Sequence, residues 1–164
     1  MTIHIESESF ERTLVIFKPD CLERHLVGLI LNRFEDKGLK LVGMKMLWMP
    51  KEKGETHYGQ HKQKPFFDFL VKYITSGPVI LCILEGKDAI EVVRRLTGPT
   101  NSREAPPGTI RGDFSMSMQN TLIHSSDSRE SAEKEINNFF ESYELVPWKR
   151  TIKNRLYSEE ELKA

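Results

Sequence analysis

Arg12-Thr13-Leu14-Val15-Ile16-Phe17-Lys18-Pro19 is the stretch on which the fold turns. Its apolar run is too short for a buried helix and holds β-branched and aromatic residues, so it reads as a buried strand. Pro19 stops that strand, because a proline has no N–H for the ladder. Lys18 is unusual company: a charge at the end of a buried strand, just before Pro-Asp.

Working outward, apolar residues at positions 26, 29, 30, 31 and 34 predict an amphipathic helix that ends at Gly38. Residues 39–49 alternate, carry Val42 and Trp48, and form a second strand closed by Pro50. Residues 51–73 read as a helix in two pieces broken at Pro65, with Phe66, Phe67, Leu70, Tyr73 and Ile74 on the apolar face. After the turn Ser76-Gly77-Pro78, residues 79–84 make the most hydrophobic strand, and residues 89–96 a short helix. Residues 97–119 hold Gly98, Pro99, Pro106, Pro107, Gly108 and Gly112; so long an irregular stretch in a small domain is usually functional or disordered. A short strand at 121–124 and a helix at 128–140 with the stripe Ala132, Ile136, Phe139 and Phe140 follow, and the tail from Glu144 has no clear periodicity.

The core order is βαββαβ, an α+β plan of the ferredoxin-like type: one domain over residues 1–164, its antiparallel sheet covered by helices on one face. A 164-residue chain that is 38% hydrophobic and 29% charged supports such a core, and it shows no internal repeat and no linker. Twenty-four basic residues against twenty-four acidic ones argue against a general nucleic-acid binder, while leaving room for a local anion pocket. Cys82 reads as a small buried hydrophobe and Cys21 as a partly exposed thiol, with no disulfide framework. Residues 1–10 are polar and acidic without a signal-like apolar stretch, and no apolar run approaches the ~20 residues that span a bilayer. A cytoplasmic protein is the expectation.

Reactive residue types concentrate late in the chain. His124 follows two apolar strand residues and precedes Ser125-Ser126-Asp127-Ser128, whose side chains are candidate helix caps, with Glu130 available to bond back. A histidine fixed between a strand end and a helix start is held as a nucleophile must be. Taken alone, it is more readily a residue that simply packs at a strand end. Lys18, Arg94 and Arg111 lie at element ends or in loops that can converge in this fold, and such cations suit a polyphosphate. No Gly-x-x-x-x-Gly-Lys-Ser/Thr loop and no kinase glycine loop occur. Ser126 and Asp127 beside His124 lack the Gly-x-Ser-x-Gly elbow of a hydrolase. His57 and His61 share a helical face without the intervening Glu of a zincin, so they read as surface or site-rim residues.

Together these residues resemble the nucleoside diphosphate kinase family. The resemblance rests on Thr13-Leu14-Val15-Ile16-Phe17-Lys18-Pro19-Asp20, His57-Tyr58, Pro65-Phe66-Phe67, Ser76-Gly77-Pro78-Val79, Gly108-Thr109-Ile110-Arg111-Gly112-Asp113-Phe114 and Ile123-His124-Ser125-Ser126-Asp127-Ser128. Order and spacing fit from residue 11 to 145, leaving 146–164 as a C-terminal extension.

The resemblance implies that His124 is phosphorylated and passes the phosphate of a nucleoside triphosphate to a nucleoside diphosphate. It implies that Lys18, Tyr58, Arg94, Thr100 and Arg111 surround the phosphates, that Phe66 stacks on the base with Met118 on its other side, and that Glu135 holds the histidine ring. Mg²⁺ would arrive on the nucleotide phosphates with Asp127 near it through water, and the chains would form a homo-hexamer, or less often a tetramer. Four positions depart from the family pattern. Thr121 stands where an Asn contacts the ribose, with Asn120 one place earlier; Cys21 and Ser125 replace glycines, and Ser102 replaces a proline at the subunit contact. Histidine suits a reversible relay, since an imidazole is largely neutral near pH 7. Two other readings stay open: a silent relative that keeps the fold as a binding module, and an RNA-recognition domain of the same βαββαβ order. The second lacks an aromatic RNP-type strand.

Overall fold

The computed structural model describes residues 10–163; the N-terminal segment read above as no signal peptide lies, up to residue 9, outside the described residues. Four strands form one sheet: β1 (Phe10–Phe17), β2 (Lys40–Trp48), β3 (Pro78–Lys87) and β4 (Ile123–Ser125). Their order is β2-β3-β1-β4 and every adjacent pair is antiparallel, which is the ferredoxin-like arrangement. The apolar run Leu14–Phe17 lies at its centre, paired on both sides: Val15 faces Cys82 on β3 and Ser125 on β4.

One expectation fails here. The helices cover both faces of the sheet, which is why β1 is buried residue after residue instead of alternating. Leu14, Ile16, Leu81 and Ile83 pack with Val71 and Ile74 of α4 (Phe67–Ile74) and with Ile136 and Phe139 of α7 (Arg129–Phe139). Val15, Phe17, Cys82 and Leu84 pack on the opposite face with Ile30 and Phe34 of α2 (Val27–Asp36) and with Ala89 and Val93 of α5 (Ala89–Thr97). Each fully buried Leu, Ile or Phe contributes roughly 1.5–3 kcal/mol, so both layers hold β1 in place.

Pro19 opens a short helix, α1 (Pro19–Glu23), at the position where its missing N–H costs nothing. Cys21, on this helix, is wholly buried rather than partly exposed, and burial pushes its thiol up to about 12. The segment broken by Pro65 resolves into α3 (Lys51–His57), a 3₁₀ turn at Gly59–His61, and α4. The long loop is ordered around a 3₁₀ turn at Ser102–Glu104 and a short helix, α6 (Ile110–Phe114). Gly112 is required there, because a Cβ would sit 2.1 Å from the Pro106 carbonyl oxygen.

The tail, unreadable by periodicity, is also ordered. Val146 N–H donates to the Val42 carbonyl, and the Trp148 indole donates to Leu41. Arg150 donates to the carbonyls of Gly38 and Leu39, and Lys153 lies 4.2 Å over the Phe10 ring, so these two basic side chains clip the tail to the body of the chain. Two short helices, α8 (Lys153–Leu156) and α9 (Glu159–Lys163), end the described chain.

Candidate active site

The site lies where β1 ends beside the start of β4. β4 begins at Ile123, two residues later than its pattern predicts, because Leu122 takes the left-handed conformation (φ 66°). Such a backbone is strained for a branched side chain and persists only when its surroundings fix it. They do: the Lys18 amide donates to the Leu122 carbonyl at 2.8 Å, and the Leu122 amide donates to the Asp20 carboxylate at 3.1 Å. Lys-Pro-Asp after β1 thus sets the turn that delivers His124 two residues on.

His124 is held by its ring. Nε2 lies 3.0 Å from Oε1 of Glu135, on α7. The Ser126 hydroxyl donates to the other Glu135 oxygen at 2.6 Å and accepts from the Leu14 amide at 3.2 Å. The orientation of the His124 ring is therefore referred, through Glu135 and Ser126, to the backbone of the central strand. Ser128 caps α7 by accepting from the Ser131 amide at 3.1 Å; Glu130 does not bond back, its carboxylate pairing with Lys134 instead.

Of the three cations, Lys18 is buried, Arg111 half-buried and Arg94 exposed. Lys18 is 6% exposed, and burial, then the nearby Arg111, lowers its pKa to about 8. Its ammonium donates to the Thr121 hydroxyl at 2.9 Å. Arg111 donates to the carbonyls of Gly98 (2.9 Å) and Ile123 (3.0 Å), which ties the long loop to β4; burial, then Arg94, lowers it to about 10. A cavity of about 270 Å³ opens beside them, and among the candidates it is lined by Arg94, Thr100, Arg111, His124 and Asp127. The Asp127 carboxyl is held below its usual range by the Ser131 hydroxyl first, and then by Ser128 and Arg94.

The remaining candidates stand off this lining. Tyr58 is buried, its hydroxyl without a hydrogen-bond partner among the described residues. The aromatic ring edge-on to His124, with centroids 4.4 Å apart, belongs to His57, and Tyr58 packs behind it at 4.6 Å. His57 is thus no surface histidine: its side chain is 1% exposed, and burial, then His124, drives its pKa down. His61 does line the cavity rim. Phe66 and Met118 are exposed, as is Asn120.

The sequence pattern of the nucleoside diphosphate kinase family matches residues 11–145. The chain belongs to this family. A nucleoside diphosphate kinase from Archaeoglobus fulgidus is 53% identical over 149 residues, covering 91% of this chain and 99% of that protein. One from Staphylothermus marinus is 54% identical, covering 84% of this chain and 98% of the relative. Among solved structures, a halophilic nucleoside diphosphate kinase from Halobacterium salinarum in complex with CDP superposes with a TM-score of 0.88 at 47% identity, covering 90% of this chain and 98% of that one.

Within the nucleoside diphosphate kinase frame, the unusual positions can be placed. Thr121 is buried and engages Lys18, while Ser125 and Cys21 are buried without breaking β4 or α1. Ser102 is buried with its hydroxyl unpartnered among the described residues. Sequence reasoning read His57 as a surface or rim residue and Ser126 as a candidate helix cap, and gave Asp20 no role of its own. Asp20 and Ser126 lie within two residues of Lys18 and His124, and that adjacency was their only signal.

Proposed function

We propose that this chain is a nucleoside diphosphate kinase working by a two-step relay, with His124 carrying the phosphate. The observation that carries the reading is the Nε2–Glu135 hydrogen bond at the edge of a cleft walled by Arg94, Thr100 and Arg111. When Glu135 accepts the Nε2 proton, the lone pair of His124 resides on Nδ1. That nitrogen attacks the terminal phosphorus of the triphosphate, the bond to the bridging oxygen breaks, and the electron pair leaves on the diphosphate. A second diphosphate then takes the phosphoryl group by the reverse step, giving ping-pong kinetics.

Lys18, Arg94 and Arg111 neutralise phosphate oxygens in both directions, each such preset group contributing roughly 3 kcal/mol to the transition state. Asp127, an exposed carboxylate on the cleft wall, offers the hard oxygen that suits Mg²⁺ on the incoming phosphates. The ion supplies charge neutralisation at the transferred group. Phe66 and Met118 bracket the base, and Tyr58 backs the phosphate site. With Thr121 occupied by Lys18, Asn120 is the freer side chain to reach the ribose.

The reading includes a homo-hexamer, supported by the sheet's free edge: β2 has a partner on one side only and exposes Met44, Met46 and Trp48. It also includes the cytoplasm as the place of work; no helix among the described residues is long and apolar enough to cross a membrane. Incubation with γ-labelled ATP tests the central claim. Acid-labile, base-stable phosphate should appear on the parent chain and be absent from His124→Gln; equal labelling of both would end it.

A further inference from the structure

We infer that His57, His124 and Glu135 form a second, inhibitory site for a divalent transition ion of the zinc class. One ligand atom from each residue falls within a group whose members all lie within 4.8 Å of one another. Glu135 Oε1 is 3.0 Å from His124 Nε2 and 3.8 Å from His57 Nδ1. His57 supplies the independent sign of a ligand. Its imidazole is buried at 1% exposure, yet neither ring nitrogen has a hydrogen-bond partner among the described residues. A buried polar group left unpaired is costly, and metal coordination is one way to satisfy it.

Two imidazoles and one carboxylate are the donor set of open zinc sites, with bonds of about 2.0–2.2 Å and a fourth position for water. Such bonds place ligand atoms about 3.3 Å apart, so the longest side of this triangle, up to 4.8 Å, needs to shorten by about 1.5 Å. A second opening of about 420 Å³, bordered by Thr56, Gln60, Ser131 and Asn138, reaches His57 and Glu135 and provides the route for the ion and its water. Lys134 also borders it, its ammonium paired with Glu130. Mg²⁺ prefers an all-oxygen shell and is a poor match for two imidazoles.

The consequence rests on the phosphohistidine reading above. An ion on Nε2 takes the lone pair there, and the single proton of the neutral ring moves to Nδ1. Nδ1 then has no lone pair for phosphorus, so occupancy and phosphorylation exclude each other.

Calorimetric titration of zinc chloride into the nucleotide-free chain near neutral pH should show one ion bound per chain. His57→Phe should bind at least about 100-fold more weakly, while His61→Phe binds like the parent. Zinc should also suppress labelling of the parent by γ-labelled ATP and leave labelling of His57→Phe unchanged. Should His57→Phe fail to fold, cobalt(II) added to the parent serves instead: the visible spectrum of a tetrahedral site supports the inference, and an unchanged octahedral spectrum overturns it. Absence of binding by the parent, or equal binding by His57→Phe, also overturns it. Failure of labelling in zinc-free buffer would sink the kinase reading separately, since the titration does not depend on it.

Discussion

The two ends of the cleft are built on different terms. Around His124 the ring is tied to Glu135, Glu135 to Ser126, and Ser126 to the Leu14 backbone, with Lys18 and Arg111 fixed nearby by a hydroxyl and by carbonyls. At the end proposed for the base, Phe66 and Met118 stand 42% and 58% exposed. The contrast teaches where this fold invests order: in the phosphates, which every nucleotide shares, and not in the base, which differs. An exposed aromatic face reads only stacking, which any base supplies.

Substitutions at the two ends should break that contrast unequally. His124→Gln should remove all measurable phosphoryl transfer between ATP and GDP, since the histidine that Glu135 and Ser126 orient is then gone. Lys18→Met should come next, with kcat lower by about a hundredfold in coupled assays. It should also be more stable than the parent, because the parent keeps a buried charge. Burial lowers the folded-state pKa of Lys18 to about 8 from its ordinary 10.5. Between those values the unfolded chain holds the proton more often than the folded one, so this group's cost is full below pH 8 and fades as pH rises to 10.5. The advantage of Lys18→Met, on the order of 1–3 kcal/mol by denaturant melts at pH 7, should shrink across that window. The parent's KM for nucleotide should rise above pH 8, and that of Lys18→Met should not.

Glu135→Gln should cost about tenfold in kcat with KM little changed, because the ring keeps its place and loses its fixed tautomer. Phe66→Ala should have the smallest effect, raising KM about fivefold, or roughly 1 kcal/mol of stacking, equally for purines and pyrimidines. A larger loss for one base would mean that the open end is more selective than its exposure suggests.

Much of this division was legible in the residues. The apolar run of β1, the His124 strand end and the scattered cations were readable because periodicity and charge are local signals. The second buried sheet face was missed, since the alternation of β2 suggested a half-solvated sheet while the continuous run of β1 pointed the other way. His57 was misread because its i, i+4 partner His61 does reach the rim; only the tertiary packing of α3 against α7 separates the two. The order of the long loop was hidden because it comes from Arg111 and Gly112 bonding or abutting distant backbone, and neither contact leaves a repeating pattern.

The tail meets β2 where its ladder with β3 is already interrupted, at the irregularity between Leu41 and Gly43. Its own backbone and indole take up the carbonyls of Val42 and Leu41, so the outer rim of the sheet is covered over that stretch, while Met44, Met46 and Trp48 beyond it stay exposed. Val146 and Trp148 thereby act as a stop, shortening the length of β2 that another strand could pair with.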